Sequence, residues 1–177
     1  MIQFNYLIGI LGWLSTIFLL ASICKKKFSN NKELPRKIIH IGTGPIIPLA
    51  LQLGISKSLA VSIASFITIG LVVNHQIRLL PAIEDIQRKS YGTIAYGLSI
   101  TLLIIFFLPK NIPAITAGIL VMAFGDGFAG LIGREVKSKT WSFLGQTKSV
   151  AGTGAMFLVG ACVLITINFF TGQPLDT

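Results

Sequence analysis

Acidic residues are scarce in this 177-residue chain: six, against fifteen lysines and arginines. Charged residues of both signs fill only 12% of positions, about half the share a soluble domain carries. That shortage excludes a soluble module and leaves a single membrane domain spanning residues 1–177. Cysteine is nearly absent too. Cys24 and Cys162 lie in or at the ends of apolar segments, which excludes a disulfide framework and a cysteine metal cluster. No two histidines fall at metal-ligand spacing and no carboxylates cluster, so the sequence shows no metal-ligand pattern. Nor does the sequence support a Ser-His-Asp arrangement.

What is abundant is apolar sequence, at 53% of residues and a mean hydropathy of +0.78. Spanning helices need about 20 mostly apolar residues. Residues 4–24, 38–53, 55–73, 91–109, 112–133 and 150–171 meet or approach that length. The fold class expected is therefore all-α, a polytopic transmembrane bundle of about six spans. The second segment is short and carries His40, Gly42, Gly44, Pro45 and Pro48, so it is expected to kink or break. Irregular backbone at membrane depth is tolerated where it is buried in protein or lines a cavity.

The loops test this count. Lys25, Lys26, Lys27, Lys32, Arg36 and Lys37 fall in the first loop, and Arg78, Arg88 and Lys89 in the third. Arg134, Lys137, Lys139 and Lys148 fall in the fifth, whereas the alternate loops hold only Lys57 and Lys110. The positive-inside bias puts the three basic loops in the cytoplasm, or its organellar (stromal) equivalent, and both termini outside. A net charge of +9 thus reports topology, and nucleic acid is not an expected partner. The first span lacks a leading basic region and is followed by Lys25–Lys27, the pattern of an uncleaved span. In the third loop, Ile77, Leu80, Ile83 and Ile86 recur at roughly helical spacing around Arg78, Asp85, Arg88 and Lys89. A short interfacial segment is expected there, limited by Pro81.

Three polar clusters fall on the basic face. Glu33-Leu-Pro-Arg-Lys-Ile-Ile-His40 would set Arg36 and His40 on one side of a helix, with Pro35 in its first turn. Asp126 interrupts an uncharged run from Ile112 to Phe124. A carboxylate there is costly if it faces lipid, so it belongs to a protein interior or a watery site. Gly145-Gln-Thr-Lys-Ser-Val-Ala-Gly-Thr-Gly154 leads into the last span, with Ser149 a plausible cap over an anion-friendly helix N-terminus. Cationic donors with close backbone approach suit phosphate. A P-loop is rejected, because glycine does not directly precede Lys148. Magnesium held by one carboxylate and a nucleotide's phosphates stays open. Together these residue types favour phosphoryl transfer, where catalysis is mostly positioning and charge neutralisation.

Plainer readings stand beside these. Gly125, Ala129 and Gly133 recur every four residues, as ordinary small-residue helix packing does. Arg36 and Lys37 could serve topology alone. His40 suits a structural hydrogen bond, and Lys137 and Lys139 a solvated polar loop.

Four segments in order, Arg36-Lys37-Ile-Ile-His40, Ser90-Tyr-Gly-Thr-Ile-Ala-Tyr96, Met122-Ala-Phe-Gly-Asp-Gly127 through Gly133, and Gly145 to Gly154, resemble the polyprenol kinase family. The resemblance is strongest to its phytol kinase branch; dolichol kinase and CTP-dependent diacylglycerol kinase are relatives. It implies transfer of the terminal phosphate of a nucleoside triphosphate, CTP with Mg2+, to a membrane-embedded lipid alcohol such as phytol. It assigns Arg36, Lys37 and Asp126 to catalysis, with Asp126 holding the metal or orienting the alcohol. Gly133, Lys148, Ser149, Gly152 and Thr153 fall on the nucleotide motif, and His40 and Tyr91 on the substrate side. Family members continue with another hydrophobic segment and an Asp-Asn element, so six spans are expected to be a lower bound. A phosphatidate cytidylyltransferase-like CTP enzyme or a diacylglycerol or dolichol kinase is the alternative, and a non-catalytic transporter or subunit the last. Oligomeric state is not indicated by the sequence.

Overall fold

In the computed structural model, residues 2–28, 31, 33–77, 91–143 and 146–172 are described. The interfacial segment expected in the third loop, with Ser90, lies almost wholly outside them, as do Lys32 and Gly145. The chain is an all-α polytopic bundle. Its helices are α1 (Ile2–Lys27), α2 (Glu33–Thr43), α3 (Ile46–Gln52), α4 (Lys57–Ile77), α5 (Gly92–Phe107), α6 (Ile112–Leu120), α7 (Gly127–Glu135) and α8 (Val150–Thr171). A π-helical turn, Val121–Asp126, joins α6 to α7 in one span of 24 residues, Ile112–Glu135. Among the described residues, four helices are long and apolar enough to cross a membrane, and α5 is a shorter apolar helix. Their outer faces are apolar: Phe66 is 79% exposed and Phe169 82%. In water such a surface would be an aggregation liability, but against hydrocarbon it is the expected exterior.

The second candidate span breaks as expected. Thr43 ends α2, Gly44 and Pro45 form a turn, and α3 begins at Ile46. Pro48 supplies no backbone N–H to a continuous ladder. Gly44 sits directly against Ala123, where an added Cβ would collide with that side chain. Trp13 of α1 donates its indole N–H to the Gly42 carbonyl at 2.8 Å, which fixes α1 against the same break.

A buried cluster of Leu51, Ala60, Ile100, Ile104, Ile115 and Ile119 holds α3 to α6 together. Between α4 and α5 the hydroxyls of Thr68 and Thr101 meet at 3.0 Å, and Gly97 lets the helices close on Thr68. Small and hydroxyl residues at helix contacts are the usual means of association in lipid, where helix and solvent are equally apolar.

One element differs from the expected polar loop. Thr140–Phe143 (β1) pairs antiparallel with Gln146–Ser149 (β2), with Trp141 opposite Lys148. Thr, Trp and Phe are strand formers, and four residues of alternating polarity suffice for a hairpin against a helix end. The hairpin feeds straight into α8.

Candidate phosphate-handling site at the α2, α7 and α8 junction

Helix α2 runs antiparallel to the π turn and α7, and small residues on the latter let it approach. Gly127 faces Ile41, and Gly130 faces Lys37, whose ammonium would lie 2.9 Å from an added Cβ. At the outer end Glu33 accepts from Arg134, Nη2 to Oε1 at 2.8 Å. One helical turn deeper, Lys37 Nζ donates to Asp126 Oδ2 at 2.7 Å and to the Asp126 carbonyl at 3.0 Å. His40 Nε2 lies 3.3 Å from the Met122 carbonyl and 3.6 Å from Asp126 Oδ2. A carbonyl only accepts, so Nε2 carries the proton and Nδ1 is left for another partner.

The π turn explains why two main-chain carbonyls meet these side chains. One extra residue in a turn shifts the helical register, and such turns are frequent at functional sites. Here the carbonyls of Met122 and Asp126 receive His40 and Lys37. The exposures decide which group faces outward: the Lys37 side chain is 13% exposed and that of His40 20%, whereas Asp126 is 51% exposed. The carboxylate is the open end of the cluster. Its Oδ1 takes no bond from a described residue.

On the other side of α7, Gly125 faces Met156, and Gly133 touches Gly152 and the Ser149 hydroxyl. Gly152 is buried against the Ala129 carbonyl, which an added Cβ would approach to 2.8 Å. Ser149 caps α8, accepting the Gly152 N–H at 3.1 Å while donating to the Gly133 carbonyl at 3.1 Å. Ala151 N–H goes to the Ser138 hydroxyl at 3.1 Å and Val150 N–H to the Lys139 carbonyl at 3.0 Å. Three amides at this helix end are therefore already bonded within the protein. Gly133, Ser149 and Gly152 thus form a packed joint between α7 and α8. Lys148 and Thr153 carry exposed polar side chains at this helix end, and Lys148 is near enough for its charge to act on the Asp126 carboxylate.

The structure thus brings together Lys37, His40 and Asp126, with Lys148 of the hairpin close enough for its charge to reach the carboxylate. Arg36 lies one turn before His40 on α2 and makes no ion pair among the described residues. Tyr91 stands apart: it is 66% exposed and its ring lies 4.8 Å from that of His75. The tyrosine that reaches the cluster is Tyr96, whose ring centroid is 4.4 Å from that of His40. The only hint in the sequence was its position five residues beyond Tyr91 in the same motif. Among the described residues no three His, Cys, Asp or Glu side chains converge on a metal-sized space. Among the described residues, the half-open Asp126 is the carboxylate placed to offer a hard cation one ligand.

No protein-family model matches the chain, and no solved structure does. It is 29% identical over 140 residues to an uncharacterised protein of Methanocaldococcus jannaschii, covering 75% of this chain and 71% of that one. It is 36% identical over 161 residues to the phytol kinase of Synechocystis sp., covering 90% of this chain and 68% of the relative. Identity at that level and over that span settles the lineage: the chain belongs to the polyprenol kinase family, the family that includes phytol kinase.

Proposed function

We propose that the protein transfers the terminal phosphate of CTP to a membrane-embedded isoprenoid alcohol, phytol first among them, giving phytyl phosphate and CDP. The observation that carries this reading is the half-open Asp126 carboxylate inside a span, held at 2.7 Å by the largely buried Lys37 ammonium. An unpaired acid there would be expelled or neutralised; a paired and partly open one can work on a charged substrate. The alcohol oxygen bonds to the terminal phosphorus as the bond to the departing CDP oxygen breaks. The hydroxyl proton leaves to the Asp126 carboxylate or to solvent.

Lys37, Arg36 and Lys148 neutralise phosphate oxygens, with the Thr153 hydroxyl beside them. The bonded amides of α8 take no part, and Gly133, Ser149 and Gly152 act by fixing Lys148 over α7. Asp126 would hold a nucleotide-borne magnesium ion by its outward oxygen, and that ion would add charge neutralisation on the phosphates. Asp126 lies nine residues before the end of α7 at Glu135, about 13 Å at helical rise. An alcohol anchored at the headgroup boundary can bring its hydroxyl to that depth. The basic loops face the cytoplasm or stroma in this reading, and the termini lie outside. The choice of CTP and phytol rests on the family resemblance and on the name of the Synechocystis relative.

Purified protein incubated with CTP, magnesium and phytol tests the proposal. Phytyl phosphate and CDP in equal amounts are expected. Pyrophosphate in place of CDP would make it a cytidylyltransferase, and no nucleotide turnover with phytol, dolichol or diacylglycerol would sink the kinase reading.

A further inference from the structure

Among the described residues, the Tyr96 hydroxyl is a buried side-chain oxygen with no hydrogen-bond partner. Buried polar groups are nearly always bonded, and the exceptions concentrate at functional sites. Tyr96 enters from α5, which packs on α4 and α6, whereas the basic groups arrive on α2 and the hairpin. Its ring leans on His40 at 4.4 Å with the planes at 49°, and His40 in turn lies 3.6 Å from Asp126. Packing explains the ring but gives the hydroxyl nothing to do. A phenol both donates and accepts, which matches a neutral alcohol; an anionic phosphate is served by the cations opposite.

We propose that the Tyr96 hydroxyl binds the hydroxyl of the lipid alcohol, holding the acceptor oxygen beside the Asp126–His40–Lys37 cluster. This rests on the kinase reading for its substrate class. It assigns the acceptor subsite to α5 and the donor subsite to α2 and the hairpin. Tyr96 keeps its own proton throughout and takes no part in bond making.

Tyr96→Phe tests it, because the ring contact with His40 stays and only the hydroxyl goes. In the full chain in detergent micelles, the expected result is a KM for phytol raised about fivefold or more, the worth of one neutral hydrogen bond. The KM for CTP is expected to be unchanged, and the melting temperature equal or higher, since no native bond is lost. Equal KM values for phytol in the two proteins overturn the proposal. So does a lowered melting temperature, which would reveal a structural partner for the hydroxyl. The shift in melting temperature on adding phytol without nucleotide separates this proposal from its parent. If the wild type shows no transferase activity, the kinase reading fails. A phytol-induced shift present in the wild type and lost in the variant still supports the subsite, and its retention in the variant overturns it.

Discussion

At the scale of single residues, the site turns on how Lys37 is held. Its ammonium is nearly buried, bonded twice to Asp126, and its stem runs across Gly130 with no room to spare. Lys37→Met is expected to lower kcat/KM about 100-fold, the scale of losing one preorganised charged donor. Lys37→Arg should rescue little, since a planar guanidinium is larger and its fork does not fit a space shaped for a compact ammonium. Kinetics on both variants check this, and near-normal activity in the arginine variant would show that only the charge matters. Asp126 could be picked from the sequence because a charge in an apolar run is conspicuous, whereas Lys37 and His40 came through the polar cluster before the second span and the family resemblance. Tyr96 could not, since a tyrosine near the end of a span is unremarkable. The Glu33–Arg134 pair was equally hidden, because nothing local in either segment names the other as its partner.

Among elements, the α7–α8 joint and the hairpin set where Lys148 stands. Ser149 joins all three, capping α8 and bonding the Gly133 carbonyl. Ser149→Ala is expected to cost about 1 kcal/mol in cap energy, seen as a melting temperature lower by roughly 2–4 °C. It should also weaken CTP binding more than phytol binding, because Lys148 is the neighbouring residue. Equal effects on both substrates would argue that the joint is structural only. Span positions were readable from hydropathy, and the break at Gly44-Pro45 from its glycines and prolines. The π turn left no trace, because one extra residue per turn barely alters an apolar run in which every residue is acceptable on every face. The hairpin was missed because polar content was read as loop, while Thr140 to Phe143 carried the strand propensity.

For the whole molecule, the proposed polarity of the bundle rests on thirteen of fifteen basic residues falling in alternate loops. Single cysteines at Lys139 and Lys110, in a background where Cys24 and Cys162 are replaced, should label from opposite sides of a sealed vesicle. Labelling of both from one side would break the topological argument that gathers α2, α7 and the hairpin at one surface. On the proposed function, the bundle serves to set one acid at the depth of a lipid hydroxyl, beside the cations that would meet a nucleotide. The most direct test is the turnover of Asp126→Asn beside wild type in CTP-dependent phosphorylation of phytol, with melting temperatures measured in parallel. A loss of at least about 100-fold in kcat with the fold retained is the expected result. Full activity in that variant would contradict the account, because the carboxylate at its centre would then do nothing that an amide cannot.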